Sequence, residues 1–193
     1  MHQRGMSLTQ LLLTLMIVAI TARFASPAYN TLIEHQQRQV AAEQLASSLR
    51  NARAQALLRQ QYVVVYPREN NWSRGWRTIL DVSGQGHLDK SNPVLVESQG
   101  DGRIPIAGNA PVKQYVRFNP LGEPQLIGGA FQAGTLHVCQ ARTAQSHYQV
   151  VLAKSGRISL RSDKTAQALC CHRYRRSHSI ARQIGRASCR ERV

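Results

Sequence analysis

The chain has 193 residues, 42% of them hydrophobic, and a formal charge of +15. That length excludes an array of domains and leaves room, beyond one anchor, for a single soluble domain of about 110 to 130 residues with a modest core. The charge is uneven: residues 171 to 193 hold seven arginines against one glutamate, so +6 of the +15 sits in the last segment and the body is less basic than the total implies.

The chain opens with Met1-His2-Gln3-Arg4-Gly5, followed by Met6 to Ala22 without a charged side chain. At about 1.5 Å per residue this run is roughly 25 Å long as a helix, close to the thickness of a bilayer's hydrocarbon. A cleaved secretory signal would need small residues at its cleavage site. Cleavage after Ala25 would place Arg23 three residues upstream, and cleavage after Ala22 would place Ile20 there, so a retained anchor is predicted. Helix-compatible sequence continues from Tyr29 to Gln61, with Pro27 expected to kink the helix rather than end it. Leu45, Leu49, Ala52 and Ala56 recur at spacings of four, three and four, while Arg38, Glu43, Arg50, Arg53 and Arg59 fill other faces. This part of the helix is predicted to carry a sheet on its apolar side, with the alanines at 41, 42, 46, 52, 54 and 56 allowing close approach.

After Gln61 the period changes. Tyr62 to Tyr66 is β-branched and aromatic and stops at Pro67, and Trp76 to Val82 follows as a second strand before the turn Ser83-Gly84-Gln85-Gly86. Val94 to Glu97, Tyr115 to Phe118, Leu136 to Cys139, His147 to Lys154 and Arg157 to Arg161 complete the predicted strands, with Ser155-Gly156 as a hairpin turn between the last two. Glycines and prolines punctuate the intervening loops at 100, 102, 105, 108, 111, 120, 122, 124, 128 and 129.

The leader, the segment Met6-Ser7-Leu8-Thr9-Gln10-Leu11-Leu12, the apolar helix and Pro27 together resemble the type IV pilin and type II secretion pseudopilin superfamily. Within it the chain is similar to the minor pseudopilin group GspH/FimT. The residues carrying that likeness are Ala52-Arg53-Ala54-Gln55-Ala56, Val63-Val64-Val65, Trp72-Ser73-Arg74-Gly75-Trp76 followed by Asp81, Phe118-Asn119-Pro120-Leu121-Gly122, and Cys139 followed by Ser155-Gly156-Arg157. The resemblance implies an α+β, type IV pilin-like fold, with a long N-terminal helix packed on an antiparallel β-sheet domain. The implied organisation is a prepilin leader at 1–5, a transmembrane helix at 6–26, the amphipathic half of the helix at 27–61, and a periplasmic β-rich domain at 62–170. It also implies cleavage by a prepilin peptidase between Gly5 and Met6, N-methylation of Met6, and packing against other minor pilins on an inner-membrane assembly platform. No cofactor and no catalysis are implied. Two positions depart from the family: Met6 stands where Phe is usual, and Gln10 stands where a Glu is thought to pair with a neighbour's amino terminus inside the filament. Gln10 can share hydrogen bonds but cannot neutralise that amine, which points to a minor or terminal subunit.

With the domain beyond the membrane in an oxidising compartment, Cys139 and Cys170 are expected to form a structural disulfide, with Cys171 as the competing partner. The segment 171–193 shows neither strand alternation nor an apolar helix face. Its ending, Ile184-Gly185-Arg186-Ala187-Ser188-Cys189-Arg190-Glu191-Arg192-Val193, is similar to translated sequencing-adapter DNA, so the tail is read as non-native, with a basic tail for nucleic acid or lipid headgroups as the rival. Trp72 and Trp76 are expected in the core rather than stacked on a ligand. Lys154, Gly156, Arg157, Arg161 and Lys164 gather at the last hairpin, where period-2 alternation puts Arg157, Ser159 and Arg161 on one face, with the arginines roughly 13 Å apart and within reach of successive phosphates. Some FimT-like pilins are associated with DNA through a Gly-Arg-x-Arg motif; here Gly156-Arg157 matches and the second arginine is delayed to 161. The seven histidines are scattered and form no nucleophilic dyad or HExxH, and Asp81, Asp89, Glu97 and Asp101 read as solvated loop acids without the ligand density of a calcium loop.

Overall fold

A computed structural model describes residues 8–140, 145–166 and 169–170. The chain divides into two compact units, Met1–Gln37 and Arg38–Val193. One helix, α1 (Leu8–Arg59), contributes to both. The leader 1–5, Met6 and the tail 171–193 lie outside the described residues.

In the first unit, α1 leaves its large apolar side chains from Leu8 to Ile20 in the open: Leu8, Leu11, Leu12, Leu13, Leu15, Met16, Ile17, Val18 and Ile20 are all exposed. Its hydroxyls turn inward on the helix. Thr14 Oγ1 donates to the Leu11 carbonyl at 2.8 Å, and Thr21 Oγ1 donates to the Ile17 and Val18 carbonyls at 3.0 Å. Among the described residues, no helix is long and apolar enough to cross a membrane.

In the second unit the amphipathic stripe packs as its spacing predicts: Ala42, Leu45, Ala46, Leu49, Ala52 and Ala56 are buried to within 1% of completely. The helix ends at Arg59, two residues before the predicted Gln61. Gln60 takes φ 54°, its side-chain amide donates to the Leu57 carbonyl at 2.8 Å, and the Gln61 amide closes back on Ala56 at 3.3 Å.

Two antiparallel sheets complete the unit. The first contains β1 (Val63–Pro67), β2 (Gly75–Leu80), β3 (Val94–Gln99) and β5 (Val116–Phe118), in the spatial order β3-β2-β1-β5. The second runs β4 (Ile106–Gly108), β6 (Gly134–Cys139), β7 (Gln145–Leu152), β8 (Ile158–Arg161), with β9 (Thr165–Ala166) also pairing β7. Seven of these strands lie where alternation predicts them. The other two, β4 and β9, are short: β4 sits in a Gly/Pro-rich stretch and β9 is two residues long, so neither offers a periodic signal. Val63, Val65, Trp76, Phe118, Leu136, Val138, Val150 and Ile158 from both sheets share one core with the helix alanines and leucines.

Candidate functional site

Three separated motifs meet at one clamp. Arg53 on α1 donates from Nε to the Gly122 carbonyl at 2.9 Å and from Nη2 to the Ser155 carbonyl at 3.3 Å. The Gly122 carbonyl is presented by a tight turn: Asn119 Oδ1 accepts from the Leu121 and Glu123 amides at 3.0 and 2.9 Å, and Gly122 takes φ 73°. Opposite it, the β7–β8 hairpin turns through Gly156 at φ 78°, with the Gly156 amide on the Ala153 carbonyl at 2.9 Å. A Cβ on Gly156 would overlap the Gly122 carbonyl oxygen and stand 2.8 Å from Arg53 Nε. The glycine of the predicted Gly156-Arg157 pair is therefore a packing requirement of the fold.

The cations of the same hairpin face outward. Ile158 and Leu160 turn to the core, while Lys154, Arg157, Arg161 and Lys164 are exposed. Lys154 Nζ lies 4.1 Å from the centroid of the exposed Phe131 ring, a contact not expected from sequence. Arg157, Arg161 and Lys164 make no hydrogen bond or ion pair among the described residues. Gln10 is exposed on the first unit's helix. Cys139 is bonded to Cys170, 31 residues on, which ties the end of β6 to the segment after β9.

Asp81 departs from its predicted place in solvent, while Glu97 and Asp101 stay exposed. Asp81 is buried; its Oδ2 accepts from Arg117 Nε at 2.8 Å and its Oδ1 from the Gly86 amide at 2.8 Å. The Arg117 guanidinium also lies 3.7 Å from the Tyr62 ring centroid. Glu97 pairs with Arg68 and Arg77 at 3.1 and 3.2 Å, and Asp101 with Arg103 at 3.4 Å. Asp89 accepts from Ser91, whose hydrogen bonds hold its carboxyl below the usual range. Among the described residues, no three His, Cys, Asp or Glu side chains are grouped to hold a metal. Trp72 and Trp76 are both buried, and Trp72 Nε1 donates to the Lys113 carbonyl at 2.9 Å. Burial lowers the pKa of His87, whose ring lies beside Tyr66 and Tyr115 with centroids 5.8 and 5.0 Å away, and of His137. The sequence signal for Arg117 was a charge set between Val116 and Phe118 in an otherwise apolar strand, which demands a buried partner.

The family described as type II transport protein GspH matches residues 41–156 of this chain. The chain belongs to the GspH family. That match takes in Arg53, the Asn119–Gly122 turn and Gly156, and stops before Arg157. The type IV minor pilin FimU of Pseudomonas aeruginosa has the same fold in two crystal forms. One has a TM-score of 0.55 at 20% identity, covering 71% of this chain and 97% of FimU. The other has a TM-score of 0.52 at 19% identity, covering 68% and 98%. No curated protein matches the chain. Family and fold are those of a minor pilin or pseudopilin of a type IV pilus or type II secretion apparatus, a subunit that associates with other pilins.

Proposed function

We propose that this GspH-family chain is a structural or assembly-initiating subunit, cut between Gly5 and Met6 by a prepilin peptidase, methylated on Met6, and held in the inner membrane by residues 6–26. Its N-terminus faces the cytoplasm, in keeping with Arg4 on that side, and residues 62–170 form the periplasmic domain, with 27–61 as the amphipathic half of the helix and 171–193 a non-native tail. The observation carrying this reading is the run Leu8 to Ile20, helical, uncharged and exposed in its large apolar side chains, with the hydroxyls of Thr14 and of Thr21 just after it bonded back to the helix backbone. Such a surface needs lipid or neighbouring apolar helices around it. The subunit does no chemistry; its helix packs among those of other pilins on an assembly platform. Gln10, unable to neutralise a neighbouring amine, fits a terminal position. Intact-mass measurement on membrane-extracted chain tests this: the expected species lacks residues 1–5 and carries one added methyl group. A mature chain that has lost Leu8 to Ile20, or one that keeps Met1, refutes it.

A second reading, DNA capture during uptake, is favoured by the unpaired cations Arg157, Arg161 and Lys164 on one hairpin. Phosphate contacts are sequence-independent and salt-sensitive. Replacing Arg157 and Arg161 with alanine should weaken duplex DNA binding and lower the salt slope by about 2, at roughly 1 for each phosphate that is no longer neutralised. Binding unchanged by both substitutions refutes this second reading.

A further inference from the structure

The two sheets end in four edges, and three of them carry at least one hydrogen bond from outside the sheet ladder. At β5, Gln132 Oε1 accepts from the Arg117 amide at 3.0 Å and the Gln125 amide donates to the Arg117 carbonyl at 2.9 Å. At β8, Arg50 of α1 reaches the Ile158 carbonyl at 3.5 Å. At β4, the Ile106 amide donates to Ser73 Oγ at 2.9 Å. The fourth edge, β3, is six residues long, and among the described residues its backbone bonds on the β2 side alone. Natural edges are guarded by charge, proline or bulges. Here Pro93 and the bulge at Leu95, opposite Thr78/Ile79, guard the first half of the strand, and its one charge, Glu97, is neutralised by Arg68 and Arg77.

The sheet also stops short of the helix it covers. Val96 pairs with Thr78, and beyond them lies a groove of about 390 Å³ lined by Ser48, Asn51, Gln55 and Arg59 of α1 and by Thr78 and Val96. Val94 and Val96 are 54% and 56% exposed. One strand spacing is about 4.8 Å, so a single added strand would both satisfy the row of unpaired amides and roof this groove.

We propose that β3 is an acceptor edge: an extended segment of a different pilin-like subunit adds to it as a fifth strand, laying apolar side chains over Val96 and a carboxylate against Arg59. Charge complementarity selects the occupant. Arg59 is the groove's one charged lining residue and its hydrogen bond is to the neutral Gln55, while residues 1–170, which carry +9 of the formal +15, repel a second copy of the chain. The inference rests on the filament-subunit reading.

The test uses the full chain in its own cells, with a benzophenone amino acid at position 96 and, as control, at the exposed Val82, which lies off the edge. The expected result is a crosslink from position 96, and none from 82, to one peptide of another subunit, located by mass spectrometry. Val96→Lys should lower the same crosslink made from position 94 at least tenfold while leaving the circular dichroism and Tm unchanged. Crosslinks to the chain's own residues 171–193, to a second copy, to several unrelated proteins, or to nothing overturn the proposal, as does a Val96→Lys variant that crosslinks normally. Intact mass from the same samples separates the two readings: processing at Gly5 without a position-96 crosslink sinks the acceptor edge alone, and absence of processing sinks the filament reading beneath it.

Discussion

Gly156→Ala separates two costs that usually arrive together. Gly156 and Gly84 have nearly the same backbone, φ 78° and 76°, yet a Cβ on Gly84 meets nothing within 4 Å, whereas on Gly156 it would overlap the Gly122 carbonyl oxygen and crowd Arg53 Nε. A left-handed φ costs an alanine about 1 to 2 kcal/mol, and this is the whole expected effect of Gly84→Ala. At Gly156 the turn or the helix must also give way, which breaks the charged Arg53–Gly122 bond at roughly 1.5 to 3 kcal/mol. Gly156→Ala should therefore cost about 2.5 to 5 kcal/mol, some 1.5 to 3 more than Gly84→Ala. At about 2 to 4 °C per kcal/mol, the Tm values of the two variants should differ by about 3 to 12 °C. Calorimetry of the chain in detergent micelles reads both. Arg53→Met removes the guanidinium that the new methyl crowds, so the pair Arg53→Met/Gly156→Ala should cost less than the sum of its parts. Equal losses for Gly84→Ala and Gly156→Ala, or strict additivity of the pair, would refute the clamp.

Asp81→Ala strands the buried Arg117 charge and the Gly86 amide, so about 3 to 5 kcal/mol of stability should be lost in denaturant titration, much of it returning with Arg117→Met in the same chain. Opening the Cys139–Cys170 bond by Cys170→Ser frees a loop with a sequence separation of 31, at an expected cost of about 3 to 4 kcal/mol in the same titration. His87 and His137 are held below the ordinary histidine value by burial, so the unfolded chain takes up protons first as pH falls. Their stabilising contribution is whole above about pH 6.5 and is lost below it, by at most about 1.4 kcal/mol per pH unit for each histidine. His87→Gln should flatten the fall in denaturation midpoint between pH 7 and 5; a midpoint that rises toward pH 5 in the parent chain would contradict the burial account.

The parts of this fold that could be read in advance were those with a local period. Leu45, Leu49, Ala52 and Ala56 repeat at helical spacing and are buried where the repeat puts them. Val63-Val64-Val65 is β-branched and lies at the middle of its sheet. What stayed hidden depends on residues far apart in the chain. Asp81 looks like a loop acid until Arg117, 36 positions on, is folded against it, and Arg53 looks like a solvated helix arginine until two turns 69 and 102 positions away present their carbonyls. Short strands vanish for a related reason: β4 is specified by its pairing with β6, since Ile106-Ala107-Gly108 has no alternation of its own. The hairpin cations were legible because exposed residues on one strand face need only the period-2 rule.

These assignments divide the positive charge by role. Arg53 and Arg117 are committed to the interior contacts of the fold, and Arg68, Arg74, Arg77 and Arg103 each face an acid. Arg157, Arg161 and Lys164 are among the cations left without an acid and lie together, beside a glycine that the fold requires for its left-handed turn and for the clamp's packing. The same hairpin therefore answers to two constraints that a sequence motif merges into one. A filament subunit that never touches DNA must still keep Gly156, since its replacement unseats Arg53, and it tolerates alanine at Arg157. A DNA-capturing subunit must keep both. Loss of DNA binding on changing Gly156 would then say only that the hairpin had moved; the arginine substitutions, made in a chain whose Tm is unchanged, are the ones that discriminate between a structural and a nucleic-acid role.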